Sequence, residues 1–460
     1  MKCFKSFFVI LSVLILFACR PEIEDSYPEL DVFIYDFPQI FEVFWHGMNR
    51  NYLYWDIEPT SPYWDSTLGK LTSGERSSIS SDPMVFWDII HDHYKLKFEA
   101  LGVFNNKDSL GYTDAANTAH EYFKDMTSGL RDGNFRIVFE NKEDIIPGLK
   151  RRLENLNSES PYRASGVFSC SDLSKEIANL GDNDAVYYKT YNYVDEVISK
   201  NFYECEYSID LSGFRIIRGK KTSPDNEIII YLSYNNGSIF DYTREEDGNS
   251  EIIEIYEKYL SDLKEQEVKG IILDLRGNTG GSLQDVSFFW SRIVSASLVF
   301  SETRAKSGEG RLDYGSWIQN RIRPAPAVEA ALKNKDAKIV LLVDGGTSSA
   351  AELMTMAAKA HKTGYVIGTK TMGAVGVSAA AGKNTAYNGG GFEMNHFIKY
   401  ASGAEVQIRG AADKTVYEGV GIEPDKKVDM DWPEFYGMDG VEPADAQLEA
   451  AIEYINSVDD

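Results

Sequence analysis

Basic side chains are scarce in this chain of 460 residues. It has 47 lysines and arginines against 71 aspartates and glutamates, which gives a formal net charge of −24. Such an excess of negative charge repels a phosphate backbone and an anionic lipid surface alike. Nucleic acid is therefore not an expected partner. The 43% of hydrophobic residues is typical of a folded globular protein, and the length predicts two or three domains.

Cysteine and histidine are also rare, with four and six residues. No CxxC pair and no His/Cys cluster occurs in the sequence, so we expect neither a metal site nor another cofactor. Beyond the first nineteen residues the cysteines are Cys170 and Cys205. They could pair in an oxidising compartment or remain two buried free thiols, and the sequence leaves both alternatives open.

The apolar run from Phe7 to Phe17 is too short to span a bilayer in comfort. It follows Lys2 and Lys5 and leads into Ala18-Cys19. This order resembles the signal peptide and lipobox of bacterial lipoproteins, which implies cleavage before Cys19 and acylation of its thiol. An ordinary secretory signal with a chance cysteine is the alternative. The resemblance implies a lipid-anchored protein of the cell envelope, with the outer membrane as the expected membrane.

Three acidic residues, Glu22, Glu24 and Asp25, follow this cysteine closely. They resemble the surface-export signal of Bacteroidetes lipoproteins. A solvated linker is an equal alternative, because short acidic clusters are common in exposed tethers.

Composition and periodicity divide the chain into six segments. Apolar residues at helical spacing run from Phe37 to Met48 and recur after Asp82-Pro83, which predicts a helical domain near the N-terminus. The expected segments are a signal peptide (1–19), a tether (20–30), the helical domain (31–139), a small middle α+β segment (140–226), a core (227–430) and a C-terminal helical extension (431–460).

Strands and helices alternate after residue 226. This repetition predicts an α/β core in which helices cover a sheet. Buried strands are predicted at Ile228–Leu232, Val268–Leu275, Lys338–Val343 and Tyr365–Gly368, with amphipathic helices that begin at Ser250 and Ala350.

The turn Gly345-Gly346-Thr347-Ser348-Ser349 connects a predicted buried strand to a helix. Glycine allows a tight bend, and the helix start brings the Ser349 hydroxyl close to free backbone N–H groups. Such groups can bind the oxyanion of an attacked carbonyl, as they do at the nucleophile elbow of hydrolases. A serine that only caps the helix is the alternative.

Five ordered blocks resemble the C-terminal processing (tail-specific) serine peptidases. Together they cover most of the chain between residues 122 and 428, and the resemblance extends to the tricorn-core branch of that family. It implies an α/β fold with a ββα-superhelix core like that of crotonase and ClpP, preceded by a helical domain. A peptide-binding PDZ domain is not recognisable in residues 140–226. The blocks are Met126–Gly133, 270–281 (GIILDLRGNTGG), Thr347–Glu352, Val366–Gly373 and Glu418–Asp425.

The resemblance also implies roles for single residues. Ser349 corresponds to the nucleophile of the family. The backbone amides of Ala350 and of Gly280 or Gly281 correspond to its oxyanion hole. Two glutamates complete the set: Glu352 fixes the serine turn, and Glu418 matches the orienting glutamate of the tricorn-like branch.

The base that activates the serine in this family is missing. The tail-specific lysine would stand at Ala374, and the tricorn-like histidine would stand at Asn134. Neither side chain can accept the proton of a serine hydroxyl. Other basic residues are weak replacements: Lys370 is expected to face elsewhere, His361 ends the helix about 18 Å from Ser349, and Lys383 and His396 lie in a glycine-rich, hairpin-like region.

Two functions fit these observations. The first is a serine endopeptidase that cleaves peptides or protein C-terminal tails at the cell envelope, with activity impaired by the missing base. The second is a catalytically silent family member that binds a peptide or an apolar ligand. A scaffold role in an outer-membrane uptake assembly is a third reading, and the expected lipid anchor alone supports it.

Overall fold

The computed structural model describes residues 35–148 and 197–457, apart from short gaps at 62, 80, 210–213, 236–238, 244–249, 327–331, 333, 379–390, 395–396 and 436–441. The expected signal peptide with Cys19, the tether and Cys170 lie outside the described residues. Cys205 is described, and it forms no disulfide with another described residue. Whether it pairs with Cys170 stays a prediction.

The helices fall into an N-terminal group and a group that alternates with strands. One short 3₁₀ helix, Glu58–Thr60, lies between the first two. The helices are α1 (Phe37–Asn51), α2 (Asp65–Leu68), α3 (Ser73–Ser77), α4 (Pro83–Leu101), α5 (Tyr112–Thr127), α6 (Ser199–Asn201), α7 (Ile239–Tyr242), α8 (Ser250–Glu265), α9 (Gln284–Trp290), α10 (Ala350–Ala360), α11 (Trp432–Phe435) and α12 (Ala446–Asn456).

The described strands form three sheets. A seven-stranded sheet has the order β14-β9-β8-β5-β4-β3-β2, and the smaller sheets have the orders β10-β13-β6-β7 and β1-β12-β11. The strands are β1 (Arg136–Phe139), β2 (Tyr203–Ile209), β3 (Arg215–Thr222), β4 (Ile228–Tyr234), β5 (Val268–Asp274), β6 (Leu298–Arg304), β7 (Ile318–Ile322), β8 (Lys338–Val343), β9 (Gly364–Gly368), β10 (Val377–Ser378), β11 (Gly391–Glu393), β12 (Ile398–Ser402), β13 (Ala404–Gly410) and β14 (Lys426–Lys427).

The large sheet is parallel through its centre, from β4 across β5, β8 and β9 to β14. Its central strands are continuous apolar runs because both faces of the sheet are buried. Strands β2 and β3 extend it antiparallel, so the boundary expected at residue 226 falls between two paired strands. Since β5 and β8 are neighbours and run in the same direction, the loops that leave their carboxyl ends lie side by side.

Helices cover both faces of this sheet. On one face α8, α9 and α10 pack against a core that contains Leu232, Leu273 and Leu341. On the other face α12 packs with Leu448 and Ile455 against the second set of strand residues. The α/β layering and the alternation of strands and helices after residue 226 are as the sequence predicts.

The N-terminal helices build a separate aromatic core. Helix α1 begins after Asp36, whose carboxylate accepts the Gln39 N–H, and α4 begins after Asp82, which caps it in the same way. The buried residues Phe44, Trp87 and Phe123 belong to this core. Strands β11 and β12 of the later chain pack into it as well, and β1 pairs with β12. The helical domain is thus joined to the α/β core by a shared sheet.

An arginine from the connection between β6 and β7 reaches into the helical domain. Arg311 is 6% exposed, and its guanidinium donates to Asn49 Oδ1 at 2.8 Å and to Asp88 Oδ1 at 2.6 Å. The guanidinium carbon Cζ of Arg311 lies 5.3 Å from the centre of the Trp45 ring, in cation–π contact. These contacts hold the helical domain against the core.

No helix in the described part of the chain combines the length and the hydropathy that crossing a bilayer requires. Within the same residues, no group of three or more histidine, cysteine, aspartate or glutamate side chains could hold a metal ion.

Candidate active site

Ser349 stands at the turn between β8 and α10 in a strained conformation. Its φ is 53° and its ψ is −123°, a backbone conformation that residues other than glycine rarely adopt. The side chain does not cap the helix, which contradicts the alternative that this serine is a simple N-cap. The turn instead presents a half-buried Ser349 at the start of α10.

Two neighbours hold this turn. Thr347 donates its hydroxyl to the Leu275 carbonyl at 2.8 Å and accepts the Asp344 N–H at 3.0 Å. The Asp344 carboxylate accepts the N–H groups of Gly346 at 2.9 Å and of Gly277 at 2.8 Å. Because Gly277 belongs to the loop after β5, Asp344 ties the serine loop to that neighbouring loop.

The loop after β5, residues 276–281, lies directly against the serine. The Ser348 N–H donates to the Asn278 carbonyl at 3.0 Å. A Cβ on Gly280 would come within 2.8 Å of both the Ser349 Cβ and the Ala350 nitrogen, so this approach requires a glycine. We call residues 276–281 the oxyanion loop.

The three backbone N–H groups expected to bind an oxyanion, those of Gly280, Gly281 and Ala350, differ in whether they already donate a hydrogen bond. The Gly280 N–H donates to the Asn278 side chain at 2.8 Å and is therefore occupied. The N–H groups of Gly281 and Ala350 have no hydrogen-bond partner among the described residues, and they remain as the two donors. Beside them lies a cavity of about 10 Å³, lined in part by Gly281, Ala350 and Met354, enough for one water molecule.

Glu352 is fully buried in the first turn of α10. Its carboxylate accepts the Thr371 hydroxyl at 2.6 Å and the N–H groups of Gly373 and Ala374 at 2.9 Å each. Burial raises the pKa of this carboxyl to about 7, against the lowering effect of its hydrogen bonds. The side chain thus holds the segment from Thr371 to Ala374, which passes behind Ser349.

Glu418 is the second buried carboxyl at the site, with 1% of its surface exposed. It accepts the Gly133 N–H at 2.7 Å and the N–H groups of Val375 and Gly376 at 2.8 Å each. Burial raises its pKa to about 8, and the negative charge of Asp132 adds to the effect. This one carboxyl therefore holds together the two segments that carry the expected base positions.

The two base positions lie beside each other, and Ala374 contacts the serine turn. The Ser349 N–H donates to the Ala374 carbonyl at 2.9 Å, and a Cβ on Gly133 would lie 2.9 Å from the Ala374 Cβ. Asn134 follows Gly133 and donates its side-chain N–H to the Gly376 carbonyl at 2.9 Å. The Ser349 hydroxyl has no hydrogen-bond partner among the described residues.

Lys370 and His361, two of the other basic residues in this part of the sequence, make their contacts away from Ser349. Lys370 pairs with Glu423 at 2.6 Å on the surface, so it faces away from the serine as expected. His361 lies just beyond the far end of α10, where its ring contacts Thr363. Lys383 and His396 lie outside the described residues.

Three residues that shape the site carried no assigned role in the sequence. Asn278, Asp344 and Thr347 join the serine loop to the oxyanion loop. Asn278 and Thr347 stand inside the family-like blocks, and Asp344 directly follows the strand. The position of Asp344 at the carboxyl end of a buried strand could have indicated a place at the site, because such ends meet at one edge of a parallel sheet.

The strained serine, the two open amides and the close glycine have the arrangement of a nucleophile elbow beside a pair of oxyanion donors. Residues 248–428 match the model of peptidase family S41. The match includes Ser349, the oxyanion loop and Glu418.

Two curated relatives are C-terminal processing proteases. The chain is 28% identical over 203 residues to the carboxyl-terminal-processing protease of Synechocystis sp., covering 43% of this chain and 39% of the relative. It is 25% identical over 203 residues to the carboxy-terminal-processing protease of Bartonella bacilliformis, covering 41% of this chain and 40% of the relative. The chain thus spans about two fifths of the length of these relatives.

One solved structure resembles almost the whole chain. The crystal structure of a candidate peptidase from Parabacteroides merdae superposes with a TM-score of 0.53 at 16% identity, covering 91% of this chain and 97% of that one. At this identity the similarity concerns the fold. The shared fold reaches beyond residues 248–428, because the superposition covers 91% of this chain.

Proposed function

We propose that this protein is a serine endopeptidase of the C-terminal processing type whose turnover is far below that of relatives with an intact base. The observation that carries the proposal is the conformation of Ser349, with φ 53° and ψ −123° beside the open amides of Gly281 and Ala350. Its substrates are peptides or protein C-terminal tails, the class named by the relatives that it resembles.

The strain at Ser349 supports chemistry rather than architecture. Holding a residue other than glycine at such a φ costs about 1–3 kcal/mol. A glycine would form the same turn without that cost, and the turn is already held by Thr347 and Asp344. A serine at this position therefore has a use for its hydroxyl, which an acyl-transfer step provides.

The missing base sets the expected rate. Loss of the base of a serine triad typically lowers turnover by about 10⁴-fold, while the oxyanion donors and substrate binding leave residual catalysis. With Asn134 and Ala374 at the two base positions, this residual catalysis is the activity we propose. Lys383 or His396 would raise it if either approached the serine.

The proposed place of action is the cell envelope. The support is the charged and apolar N-terminus that ends at Cys19, which fits a lipid-anchored protein. Acylated Cys19 would anchor the chain in the outer membrane through the tether at residues 20–30.

A fluorophosphonate probe tests the nucleophile directly. We expect the purified protein to label slowly at a single site, with the rate rising toward alkaline pH as hydroxide replaces the absent base. The matched control is Ser349→Ala, which should not label. Absence of labelling from about pH 6 to pH 10 would exclude the peptidase.

A catalytically silent peptide or apolar-ligand binder is the second candidate. The observation that favours it is the Asn134 side chain, which is bonded to the Gly376 carbonyl and offers no base to Ser349. For this function, Ser349→Ala would bind an unstructured peptide or a fluorescent fatty acid as tightly as the wild type. Neither the wild type nor the variant would react with the fluorophosphonate probe. Calorimetry on the two proteins measures this.

A further inference from the structure

A buried arginine lies between two carboxylates at the start of the oxyanion loop. Arg276 is 2% exposed and follows β5. Its guanidinium makes two-pronged contacts with both acids, to Asp274 at 2.9 and 2.6 Å and to Asp445 at 3.0 and 2.8 Å. Gln447 accepts from the same guanidinium at 3.1 Å. Two parallel bonds to one carboxylate fix the plane of the guanidinium as well as its position.

The two acids belong to different parts of the chain. Asp274 is the last residue of β5 and also accepts the Tyr231 hydroxyl at 2.8 Å. Asp445 precedes α12, at 169 positions from Arg276, and lies beyond the residues 248–428 that match the family. The contact of Asp445 therefore links the C-terminal extension to the loop that carries the oxyanion donors.

The C-terminal side of this link is rigid. Asp445 caps α12 by accepting the N–H groups of Gln447 and Leu448 at 3.1 and 3.0 Å. Helix α12 then crosses the sheet with Ile455 packed against Gly270 of β5, where a Cβ would come within 2.7 Å of its side chain. The carboxylate is thus anchored by its helix before it binds the arginine.

The other side of the link leads to the nucleophile by short steps. The residue after Arg276 is Gly277, whose N–H is held by Asp344 of the serine loop. The next is Asn278, whose carbonyl accepts the Ser348 N–H and whose side chain holds the Gly280 N–H. A displacement of Arg276 would therefore move the oxyanion loop relative to Ser349.

We propose that Asp445 is a positioning residue, which acts through Arg276 to hold the oxyanion loop in register with Ser349. This inference rests on the proposed function for its catalytic consequence, while its structural part concerns the loop alone. Removing Asp445 leaves Arg276 paired with Asp274, so the buried positive charge stays neutralised and the fold survives. The guanidinium of Arg276 then loses one of its two carboxylate partners, and the oxyanion loop loses its restraint from α12.

The decisive variant is Asp445→Asn. Asparagine is as good an N-cap as aspartate, so α12 keeps its start, while the negative charge and one acceptor oxygen are removed. The control is Glu449→Gln on the same helix, which removes one negative charge from an exposed side chain. Both are compared with the wild-type full chain by hydrogen exchange of residues 277–281 and by fluorophosphonate labelling of Ser349.

We expect Asp445→Asn to speed the exchange of the loop amides at least tenfold while the strands β5 and β8 exchange as in the wild type. We expect labelling to slow by about 10- to 100-fold, the range for misplacement of an oxyanion donor or a reacting group. Glu449→Gln should match the wild type in both measurements.

Unchanged exchange of residues 277–281 in Asp445→Asn would overturn the inference, whatever the labelling shows. A uniform rise of exchange across the core would also overturn it, because that indicates a purely structural role. If the wild type does not label, the proposed function fails and the loop exchange alone decides this inference. Should Asp445→Asn not fold, Gln447→Met removes one acceptor of Arg276 and should give a smaller rise confined to the loop; no rise would overturn the inference.

Discussion

The side chain of Asn134 donates to the carbonyl of Gly376 at 2.9 Å. This bond joins the segment of the expected histidine to the segment of the expected lysine, within two residues of Ala374. Glu418 holds the backbones of the same two segments through Gly133 and Gly376. The region is therefore well ordered around the serine even though it presents no base.

Asn134→His should raise the activity of the protein. An imidazole at residue 134 would occupy the position of the histidine in the tricorn-like branch. The Glu418 carboxylate would lie nearby, because it accepts the N–H of the neighbouring Gly133. Since a base accounts for about 10⁴-fold in turnover, we expect at least a 100-fold gain even if the geometry is imperfect. Hydrolysis of an unstructured protein such as casein measures it.

The control for that substitution is Asn134→Gln, which also breaks the bond to Gly376 but adds no base. It should remain at the wild-type level or below. Equal rates for the histidine and glutamine variants would show that residue 134 does not reach the serine hydroxyl.

Ala374→Lys should fail to restore activity. Ala374 is 3% exposed, and its Cβ faces Gly133 so closely that a Cβ there would lie 2.9 Å away. A lysine side chain has no room in this direction, and overpacking costs about 1–3 kcal/mol. Thermal unfolding should show the loss, with Ala374→Ser as the small-volume control. A stable lysine variant that labels faster than the wild type would contradict this account.

Ser349→Gly should be more stable than Ser349→Ala by about 1–2 kcal/mol. Both variants lack the hydroxyl, but only glycine adopts φ 53° and ψ −123° without strain. Urea unfolding of the pair gives the difference directly. Equal stabilities would mean that the turn relaxes when the serine is replaced.

The buried carboxyls of Glu352 and Glu418 should make the protein less stable as the pH rises. Both carboxyls have an ordinary pKa of 4.5, and the fold raises these values to about 7 and about 8. Between these limits the folded state binds more protons than the unfolded state, so the free energy of unfolding falls with increasing pH and levels off above about pH 8.

Thermal unfolding between about pH 5 and pH 9 measures this dependence. In Glu418→Gln the decline should be shallower, because one of the two groups no longer titrates. Glu423→Gln removes an exposed acid that pairs with Lys370 and should keep the wild-type slope. A Glu418→Gln profile parallel to the wild type would contradict the assignment.

Arg311→Ala should loosen the helical domain. The guanidinium is buried between Asn49 and Asp88, and hydrogen bonds to a charged group contribute about 1.5–3 kcal/mol. We expect a loss of about 3 kcal/mol in unfolding monitored by tryptophan fluorescence, since Trp45 lies beside Arg311. Arg321→Ala, at an exposed position of β7, should have little effect.

The elements nearest the nucleophile could be predicted from the sequence. The strand Lys338–Val343 has the bounds that the sequence predicts, and the helix α10 begins at Ala350 as predicted. A uniform apolar run marks the strand, and the glycines after it mark the turn into the helix. Ser349, Glu352 and Glu418 lie where the family-like blocks place them. Local pattern was sufficient for the strand and the helix start, while the choice of the three side chains depends on the family resemblance.

Contacts between distant segments could not be predicted. The pairing of β1 with β12 joins residues such as Ile137 and Ala401, and no local periodicity indicates a partner so far along the chain. The use of the Gly280 N–H by Asn278 is likewise a property of the folded loop. A single sequence contains the acids Asp274 and Asp445, but it does not indicate that one arginine binds both.

The link from Asp445 to Arg276 has a consequence for the order of events during synthesis. A ribosome produces the oxyanion loop 169 residues before the aspartate that fixes it. Ser349 is made within that interval, and until Asp445 follows, the donors beside the serine lack their outer restraint. A chain in which α12 has not yet docked would therefore hold these donors loosely, and the site would reach its full rate only after α12 packs on the sheet.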